Sequence, residues 1–252
     1  DESPCTIFLE VFKVKLSNLI RKKTRPFCSA VIVAAGSSER MGEDKLMLPL
    51  DGVPVLVRSI QAFDSSPLID EIIVVTQSAK IVPVSQLCAD YGIKKVTKIL
   101  TGGETRVISA LAGLSEIDDR AKLAAIHDGA RPLVTLEVIE KALHCAALNK
   151  AAAPAVPLKD TVKLVKDGAV VRTLERSSLA AVQTPQVFWP DIIKGALTDA
   201  MNRGRDITDD CSAVEAMGVP VFITEGSYEN IKITTPEDIA AAEAILERRG
   251  HK

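Results

Sequence analysis

A loop of small residues that contains an arginine and a lysine is the part of this sequence best suited to chemistry. Ala34, Ala35 and Gly36 follow the apolar residues 30–33 directly, and Arg40 and Lys45 come further along the same loop. Small side chains let the main chain approach phosphate oxygens, while backbone N–H groups and the two cations donate charge-assisted hydrogen bonds. The loop therefore predicts a polyphosphate site.

This loop matches neither of the two commonest glycine-rich phosphate motifs. A Walker A motif requires Ser or Thr after its lysine, whereas Leu46 follows Lys45. The dinucleotide fingerprint requires two further glycines, and Ser38 and Met41 stand in their places. We therefore predict phosphate binding by a loop of a different kind.

A carboxylate and an arginine follow a second apolar stretch. Asp128 comes at the end of residues 123–127, Arg131 lies three residues further on, and Gly129 between them keeps the floor of a pocket low. Mg²⁺ takes a few oxygens from protein and the rest from phosphate and water, so Asp128 is a candidate ligand. The alternative is that Asp128 is a turn or helix-capping residue.

Two further stretches could face the same ligand. Gly103 and Glu104 lie in a glycine turn that leads into a helix, where the backbone could read the edge of a base or Glu104 could simply favour the helix dipole. Lys232 lies between two branched residues of a predicted strand at 230–234. A lysine is a poor core residue, so we expect either a cleft position facing phosphate or solvent exposure.

Apolar stretches that alternate with helical ones position these residues. Strands are predicted at residues 30–35, 71–76, 95–100 and 123–127, and helices at 55–63, 83–91 and 105–114. This order predicts an α/β fold with a doubly wound, mostly parallel, Rossmann-like sheet. Ligands of such sheets bind outside the carboxyl ends of the strands, where the loops described above begin.

The second half of the chain interrupts this alternation with a predicted β-hairpin. Residues 159–165 and 170–174 alternate in polarity around Asp167-Gly168, a favourable two-residue turn. A lone hairpin is marginal, so we expect this arm, at about residues 157–180, to lie against another subunit; a hairpin folded back on its own domain is the alternative. Further elements are predicted, namely a strand at 219–224 and helices at 191–201, 208–217 and 236–249, the last capped by Thr235.

Length and composition describe an ordinary globular chain with one large domain. The 252 residues are 47% hydrophobic, 25% charged and 4% aromatic, with a formal net charge of −2. This balance argues against a nucleic-acid partner, which would leave a basic footprint. The five cysteines include no C-x-x-C pair, so we expect reduced thiols, no zinc site and a cytoplasmic location. No apolar run approaches the roughly 20 residues of a membrane span, so no membrane partner is expected.

Residues 1–28 differ from the rest and are set apart as an N-terminal extension of unknown role, which leaves 29–252 as the domain. Apolar residues recur at helical spacing between residues 7 and 20, before a basic cluster at 21–25. Such a segment could contact a membrane surface or a partner. We favour an extension packed on the domain, or a processing remnant.

From about residue 29 to its end, the sequence resembles the 2-C-methyl-D-erythritol 4-phosphate cytidylyltransferase family. Seven stretches agree in order and spacing: the loop 34–45, the glycine pair with Arg106, residues 127–132, Asp160-Thr161, Thr184-Pro185-Gln186, residues 208–212 and residues 230–232. The resemblance implies that CTP and a polyol phosphate, 2-C-methyl-D-erythritol 4-phosphate, give the CDP-alcohol and pyrophosphate in non-mevalonate isoprenoid precursor synthesis. It further implies Mg²⁺ or another divalent cation, and a homodimer formed through the hairpin arm.

The resemblance also implies a role for each candidate residue. It assigns the triphosphate and leaving group to Arg40 and Lys45, the α-phosphate to Lys232, and the metal to Asp128. Nucleotide binding falls on eight residues: Ala34, Ala35, Gly36, Gly103, Glu104, Arg106, Ser109 and Gly129. The acceptor phosphate falls on Arg131, Thr161 and Arg176, of which the last two belong to an arm that reaches into the neighbouring site.

Some departures from the family pattern leave alternatives open. The phosphate loop is shorter before Lys45 than is common in the family, and Glu39 stands where a basic residue is frequent. Asp209 and Asp210 could add a metal ligand or form the acidic start of a helix. A sister cytidylyltransferase that acts on ribitol 5-phosphate shares most motifs, although residues 208–212 match it less well. A nucleotide-binding regulatory protein without turnover is the alternative of another class.

Overall fold

One large sheet between two helical layers organises the chain in a computed structural model, which describes residues 25–36 and 44–250. The strands are β1 (Phe27–Val33), β2 (Pro49–Leu50), β3 (Val53–Pro54), β4 (Glu71–Thr76), β5 (Val96–Thr101), β6 (Ala121–Asp128), β7 (Ala151–Pro157), β8 (Lys163–Lys166), β9 (Ala169–Thr173), β10 (Ala180–Val182), β11 (Gln186–Phe188) and β12 (Phe222–Glu225). The helices are α1 (Val55–Asp64), α2 (Ile81–Asp90), α3 (Arg106–Ser115), α4 (Leu136–Asn149), α5 (Pro190–Asn202), α6 (Asp210–Ala216) and α7 (Pro236–Gly250). Short 3₁₀ turns lie at Ser78–Lys80 and Arg176–Ser178.

The sheet has the strand order β10-β7-β11-β6-β1-β4-β5, and β12 pairs with β7. Parallel pairs join β1 to β4 and β6, β4 to β5, and β12 to β7. Strands β10 and β11 run antiparallel to their neighbours. The predicted α/β fold with a doubly wound, mostly parallel sheet is confirmed.

Both faces of the central strands are buried, which explains why they read as continuous apolar runs. Successive side chains of a strand point to opposite faces, so Ile32 of β1 packs in one core and Val31 in the other. Helices α1, α2, α4 and α7 supply side chains to the first core, and α3, α5 and α6 to the second. This double burial fixes where each strand ends, and therefore where the loops of the site begin.

Two predictions about local structure were wrong or incomplete. Helix α4 was not predicted; it begins after Thr135, whose hydroxyl accepts a hydrogen bond from the Val138 N–H. Residues 230–234 form no strand, although a strand was predicted there. The Ile233 N–H instead donates a single bond of 2.8 Å to the Ala130 carbonyl, so this segment is a loop that crosses the end of β6.

The predicted hairpin is present as β8 and β9, which form a separate two-stranded sheet. Asp167 and Gly168 both have positive φ, 50° and 79°, as a tight two-residue turn between twisted strands requires. Every residue of both strands is exposed in the single chain.

The helix predicted between residues 7 and 20, and Arg40 of the phosphate loop, lie outside the described residues. Among the helices of 25–36 and 44–250, none is long and apolar enough to cross a bilayer. The described cysteines are Cys28, Cys88, Cys145 and Cys211, and all of these are free thiols.

Candidate active site

A cavity of about 370 Å³ opens at the carboxyl ends of β1, β4, β5 and β6. The structure brings together many predicted site residues along its wall, namely Ala34, Ala35, Gly36, Lys45, Gly103, Glu104, Arg106, Ser109, Asp128 and Lys232. Gly129 and Arg131 do not line the cavity themselves but flank Ala130, which does. The strand ends of one parallel sheet thus collect residues that are far apart in sequence.

Backbone hydrogen bonds extend the sheet past the strand ends and fix the floor of the cavity. The Ala34 N–H donates to the Val75 carbonyl at 2.7 Å, and the Gly129 N–H to the Val33 carbonyl at 2.9 Å. The Gly102 N–H donates to the Thr76 carbonyl at 2.7 Å. These loops are therefore held at the edge of the sheet before any ligand arrives.

The glycine turn after β5 is held so closely that no larger residue fits. A Cβ atom at Gly102 would overlap Ala35, and one at Gly103 would overlap Ile108. The Ser109 hydroxyl accepts a hydrogen bond from the Gly103 N–H at 3.1 Å and donates to the Thr105 carbonyl at 3.0 Å. Ser109 thus shapes the turn, while Glu104 lies exposed at the cavity mouth.

Asp128 is the electrostatic centre of the site. Its Oδ2 lies 2.8 Å from Lys232 Nζ and 3.7 Å from Arg131 Nε, and its Oδ1 lies 3.5 Å from an Arg106 terminal nitrogen. Burial raises the pKa of the Asp128 carboxyl, but the charges of Arg106 and Lys232 outweigh burial and hold the pKa well below its ordinary value. Asp128 is therefore ionised at neutral pH.

Arg106 makes its shortest contacts with a second carboxylate, that of Asp210. Both of its terminal nitrogens donate to Asp210, each at 2.7 Å. Asp210 is the first residue of α6 and is fully buried, and Asp209 caps that helix by accepting from the Ser212 N–H. The interpretation of this acidic pair as a helix start is confirmed. The contact with Arg106 was not predicted, because the partners are 104 positions apart in the sequence.

His127 organises the backbone behind Asp128. Its Nδ1 lies 3.0 Å from the Thr184 hydroxyl, which also accepts a bond from the Asp128 N–H. A carbonyl oxygen can only accept a hydrogen bond, so the proton of a neutral ring belongs on Nε2, which lies 3.2 Å from the Arg131 carbonyl, and Nδ1 then accepts from the Thr184 hydroxyl. Burial lowers the pKa of His127 to about 4, so the ring is neutral. Sequence reasoning missed this role.

A buried asparagine anchors the loop that carries Lys232. Asn230 is 0% exposed, and its side-chain amide donates to the Thr184 carbonyl at 3.0 Å. Its backbone carbonyl accepts from Arg131 at 2.6 Å, while Arg131 Nε is buried without a hydrogen-bond partner among the described residues. Asn230 therefore fixes two cations of the site, and its place two residues before Lys232 was the only sequence signal.

The two arm residues lie away from this cavity within one chain. Thr161 is exposed in the segment before β8. Arg176 donates to the Lys159 carbonyl at 2.7 Å and lines a second cavity of about 1010 Å³, beside β7, β10 and β12. Neither lines the cavity around Asp128. Their predicted contribution to a neighbouring site stays a prediction.

The described residues contain no group of three or more His, Cys, Asp and Glu side chains that could enclose a metal. Mg²⁺ does not require such a cage, because it is typically held by one or two carboxylates together with substrate phosphates and water. Asp128 fits this mode, since it is ionised and the 3.5 Å contact with Arg106 is the only one that the described side chains make with its Oδ1. Asp210 does not, since Arg106 occupies both of its oxygens.

Comparisons with known proteins agree on one family. The sequence profile described as 2-C-methyl-D-erythritol 4-phosphate cytidylyltransferase matches residues 28–248. The enzyme of that name from Symbiobacterium thermophilum is 44% identical over 227 residues, which are 89% of this chain and 94% of that protein. The one from Caldanaerobacter subterraneus is 46% identical over 228 residues, which are 87% and 99% of the two chains.

Solved structures give the same result. The 4-diphosphocytidyl-2C-methyl-D-erythritol synthase of Anaerococcus prevotii superposes with a TM-score of 0.80 at 31% identity, over 88% of this chain and 96% of that one. The 2-C-methyl-D-erythritol 4-phosphate cytidylyltransferase of Thermus thermophilus gives 0.72 at 29% identity, over 86% and 98%.

Proposed function

The chain belongs to the 2-C-methyl-D-erythritol 4-phosphate cytidylyltransferase family, and we propose that it transfers a cytidylyl group from CTP to 2-C-methyl-D-erythritol 4-phosphate, releasing pyrophosphate. The observation that carries this proposal is the convergence of Lys45, Lys232 and Asp128 on one cavity beside a glycine turn. Cations, a carboxylate and bare backbone are what a nucleoside triphosphate requires.

The reaction is a single displacement at phosphorus. An oxygen of the acceptor phosphate attacks the α-phosphorus of CTP, and the new O–P bond forms as the bond to the bridging oxygen of the β-phosphate breaks. Pyrophosphate leaves with that electron pair. No covalent intermediate with the protein is required, so the protein contributes position and positive charge.

We assign the charges of the site to the atoms that become more negative. Lys232, held at Asp128, is directed at the α-phosphate oxygens, while Lys45 and Arg40 hold the triphosphate and the departing pyrophosphate. A divalent cation bound at Asp128 would neutralise phosphate charge. Each such contact gains strength as charge develops in the transition state, which is the condition for raising the rate.

The glycine turn is the proposed site of base recognition. Backbone carbonyls of a turn can accept from the exocyclic amine of cytosine, which uracil lacks. A site whose buried acceptors would be left unpaired by uracil rejects UTP strongly. The rigid hold of Ser109 on Gly103 supports this role, because a fixed turn cannot adapt to the other base.

The acceptor phosphate and the dimer belong to the same proposal. Arg131 supplies one guanidinium, and Thr161 and Arg176 of a neighbouring subunit complete the acceptor site. The hairpin supports this arrangement, because Val165, Val170 and Val171 are 55%, 60% and 56% exposed in the single chain. Apolar exposure of this extent on a two-stranded sheet favours burial against another copy. The free thiols support a cytoplasmic location.

Turnover with defined substrates tests the function. The protein is incubated with CTP, Mg²⁺ and either 2-C-methyl-D-erythritol 4-phosphate or ribitol 5-phosphate, and both pyrophosphate and the CDP-alcohol are quantified. We expect product with the first acceptor, and a strong preference for CTP over UTP. Faster turnover of ribitol 5-phosphate would show that the chain has the sister activity, cytidylyl transfer to ribitol 5-phosphate. Absence of product with both acceptors, despite CTP binding, would favour a regulatory binder.

A further inference from the structure

The guanidinium of Arg106 lies between the carboxylates of Asp210 and Asp128 and is much closer to Asp210. Its two bonds to Asp210 measure 2.7 Å each, whereas its approach to Asp128 Oδ1 is 3.5 Å. Asp210 is 0% exposed. Building on the proposed function, we infer that Asp210 is a positioning residue that withholds Arg106 from Asp128 and so keeps one Asp128 oxygen available to the divalent cation that accompanies CTP.

The position of Asp210 is fixed from the sheet rather than from the cavity. Gln186 of β11 donates to Asp209 Oδ2 at 2.7 Å and accepts from the Cys211 N–H at 2.9 Å, so it grips the residues on both sides of Asp210. Gln186 pairs with Ile126 of β6, two residues before Asp128. The two carboxylates that compete for Arg106 are therefore held on one rigid frame.

Charge and geometry explain why this competition matters. An arginine fork binds a carboxylate through two parallel bonds, and a carboxylate whose oxygens are both occupied is a poor ligand for a cation. Lys232 already occupies Asp128 Oδ2 at 2.8 Å. If Asp210 lost its charge, the nearest carboxylate for Arg106 would be Asp128, and closer pairing there would block Oδ1. Groups that orient a ligand residue typically change metal affinity or activity by about 10- to 100-fold when removed.

Two variants separate this role from simple structural support. Asp210→Asn keeps the shape of the side chain but leaves a single uncharged acceptor oxygen in place of the two that now bind Arg106. The double variant Asp210→Asn with Arg106→Gln leaves a neutral pair of amides, so no freed arginine remains to occupy Asp128. Asp70→Asn is the matched control. Arg25 also binds Asp70 through two bonds, of 2.8 and 2.6 Å, but Asp70 directly precedes the start of β4, whereas the cavity lies at the other end of that strand.

Calorimetric titration of CTP, with Mg²⁺ and with EDTA, is the measurement, and it requires no acceptor. We expect Asp210→Asn to weaken CTP binding about 10- to 100-fold in Mg²⁺, with much less change in EDTA. The gain in CTP affinity from EDTA to Mg²⁺ should be larger in the double variant than in Asp210→Asn, and Asp70→Asn should bind like the parent protein. Thermal unfolding of each variant establishes that it is folded.

The opposite results overturn the inference. Equal Mg²⁺–CTP affinity in Asp210→Asn and the parent protein would do so, and so would a double variant whose gain in CTP affinity from Mg²⁺ is no larger than that of the single variant. If Asp210→Asn does not fold, the double variant decides. That variant has no Arg106 to block Asp128, so a loss of CTP affinity that is seen in Mg²⁺ but not in EDTA would contradict the inference. Failure of the parent protein to turn over a polyol phosphate would count against the proposed function alone, because the titrations still decide the role of Asp210.

Discussion

Replacing Lys232 with alanine should separate catalysis from stability. Lys232 Nζ lies 2.8 Å from Asp128 Oδ2, and 42% of its side chain is exposed. The segment that carries it is held by the buried Asn230 and by the bond from the Ile233 N–H to the Ala130 carbonyl, not by the ion pair. The substitution therefore removes a charge from the cavity and leaves the backbone in place.

The two expected magnitudes differ by enough to be measured separately. Lys232 is partly exposed, and Arg106 and Arg131 remain 3.5 and 3.7 Å from the buried Asp128 carboxylate when Lys232 is removed, so the Lys232–Asp128 pair should contribute no more than about 1 kcal/mol to stability. For a domain of this size, that corresponds to a fall in melting temperature of roughly 2–4 °C at most. Loss of one charged contact that strengthens in the transition state costs about 10²- to 10³-fold in rate, or roughly 2.7–4 kcal/mol. Lys232→Ala should therefore be nearly as stable as the parent protein and almost inactive.

Pyrophosphate release under saturating CTP and acceptor gives kcat, and a thermal melt gives the stability. Lys98→Ala is the matched control, because Lys98 Nζ lies 2.8 Å from Glu116 with 44% of its side chain exposed, away from the cavity. It should lose no more stability than Lys232→Ala, because Glu116 is also exposed, and it should lose no activity. Turnover of Lys232→Ala within a few-fold of the control would refute the assignment of Lys232 to the α-phosphate.

Three further predictions test the turn, the buried histidine and the arm. Gly102→Ala should weaken CTP binding and cost about 1–3 kcal/mol of unfolding free energy in urea, because its Cβ would overlap Ala35, whereas Gly195→Ala, with open space around it, should not. Because the pKa of His127 is lowered from 6.5 to about 4, the unfolded chain binds more protons between these values, and stability should fall by roughly 2 kcal/mol from pH 7 to pH 5. A pH dependence of urea unfolding that His127→Gln leaves unchanged would contradict this. Val170→Asp should shift sedimentation toward a monomer and abolish turnover, while the control Val82→Asp, at a still more exposed valine outside the arm, should do neither.

The fold was predictable because its signals are local and repeated. Apolar runs separated by helical stretches predicted β1, β4, β5 and β6 within a few residues of their observed bounds. Helix α4 was missed for a physical reason. Its buried face includes the small residues Ala142 and Ala146, while Leu136 and Leu148 are 40% and 48% exposed, which weakens its hydrophobic periodicity.

The lysine loop shows how one pattern can have two structural causes. Ile231 and Ile233 flank Lys232 with the alternation of a strand, and a strand was predicted. The alternation arises instead because the loop passes over the end of β6, with Ile233 buried and Lys232 turned toward Asp128. Of the two positions expected for Lys232, a cleft or the solvent-exposed surface, the structure shows the cleft, whereas the predicted strand is absent from this described segment.

The sequence by itself determined the α/β order of elements, the loops at the strand ends and the residue types that gather there, because each follows from contacts close in the chain. The tertiary structure alone decided how the charges are shared. Asp210 holds Arg106 across 104 positions, and His127 and Asn230 fix the backbone around Asp128 through Thr184. These contacts depend on strand order and on the depth at which each group is buried, and no spacing along the chain encodes either.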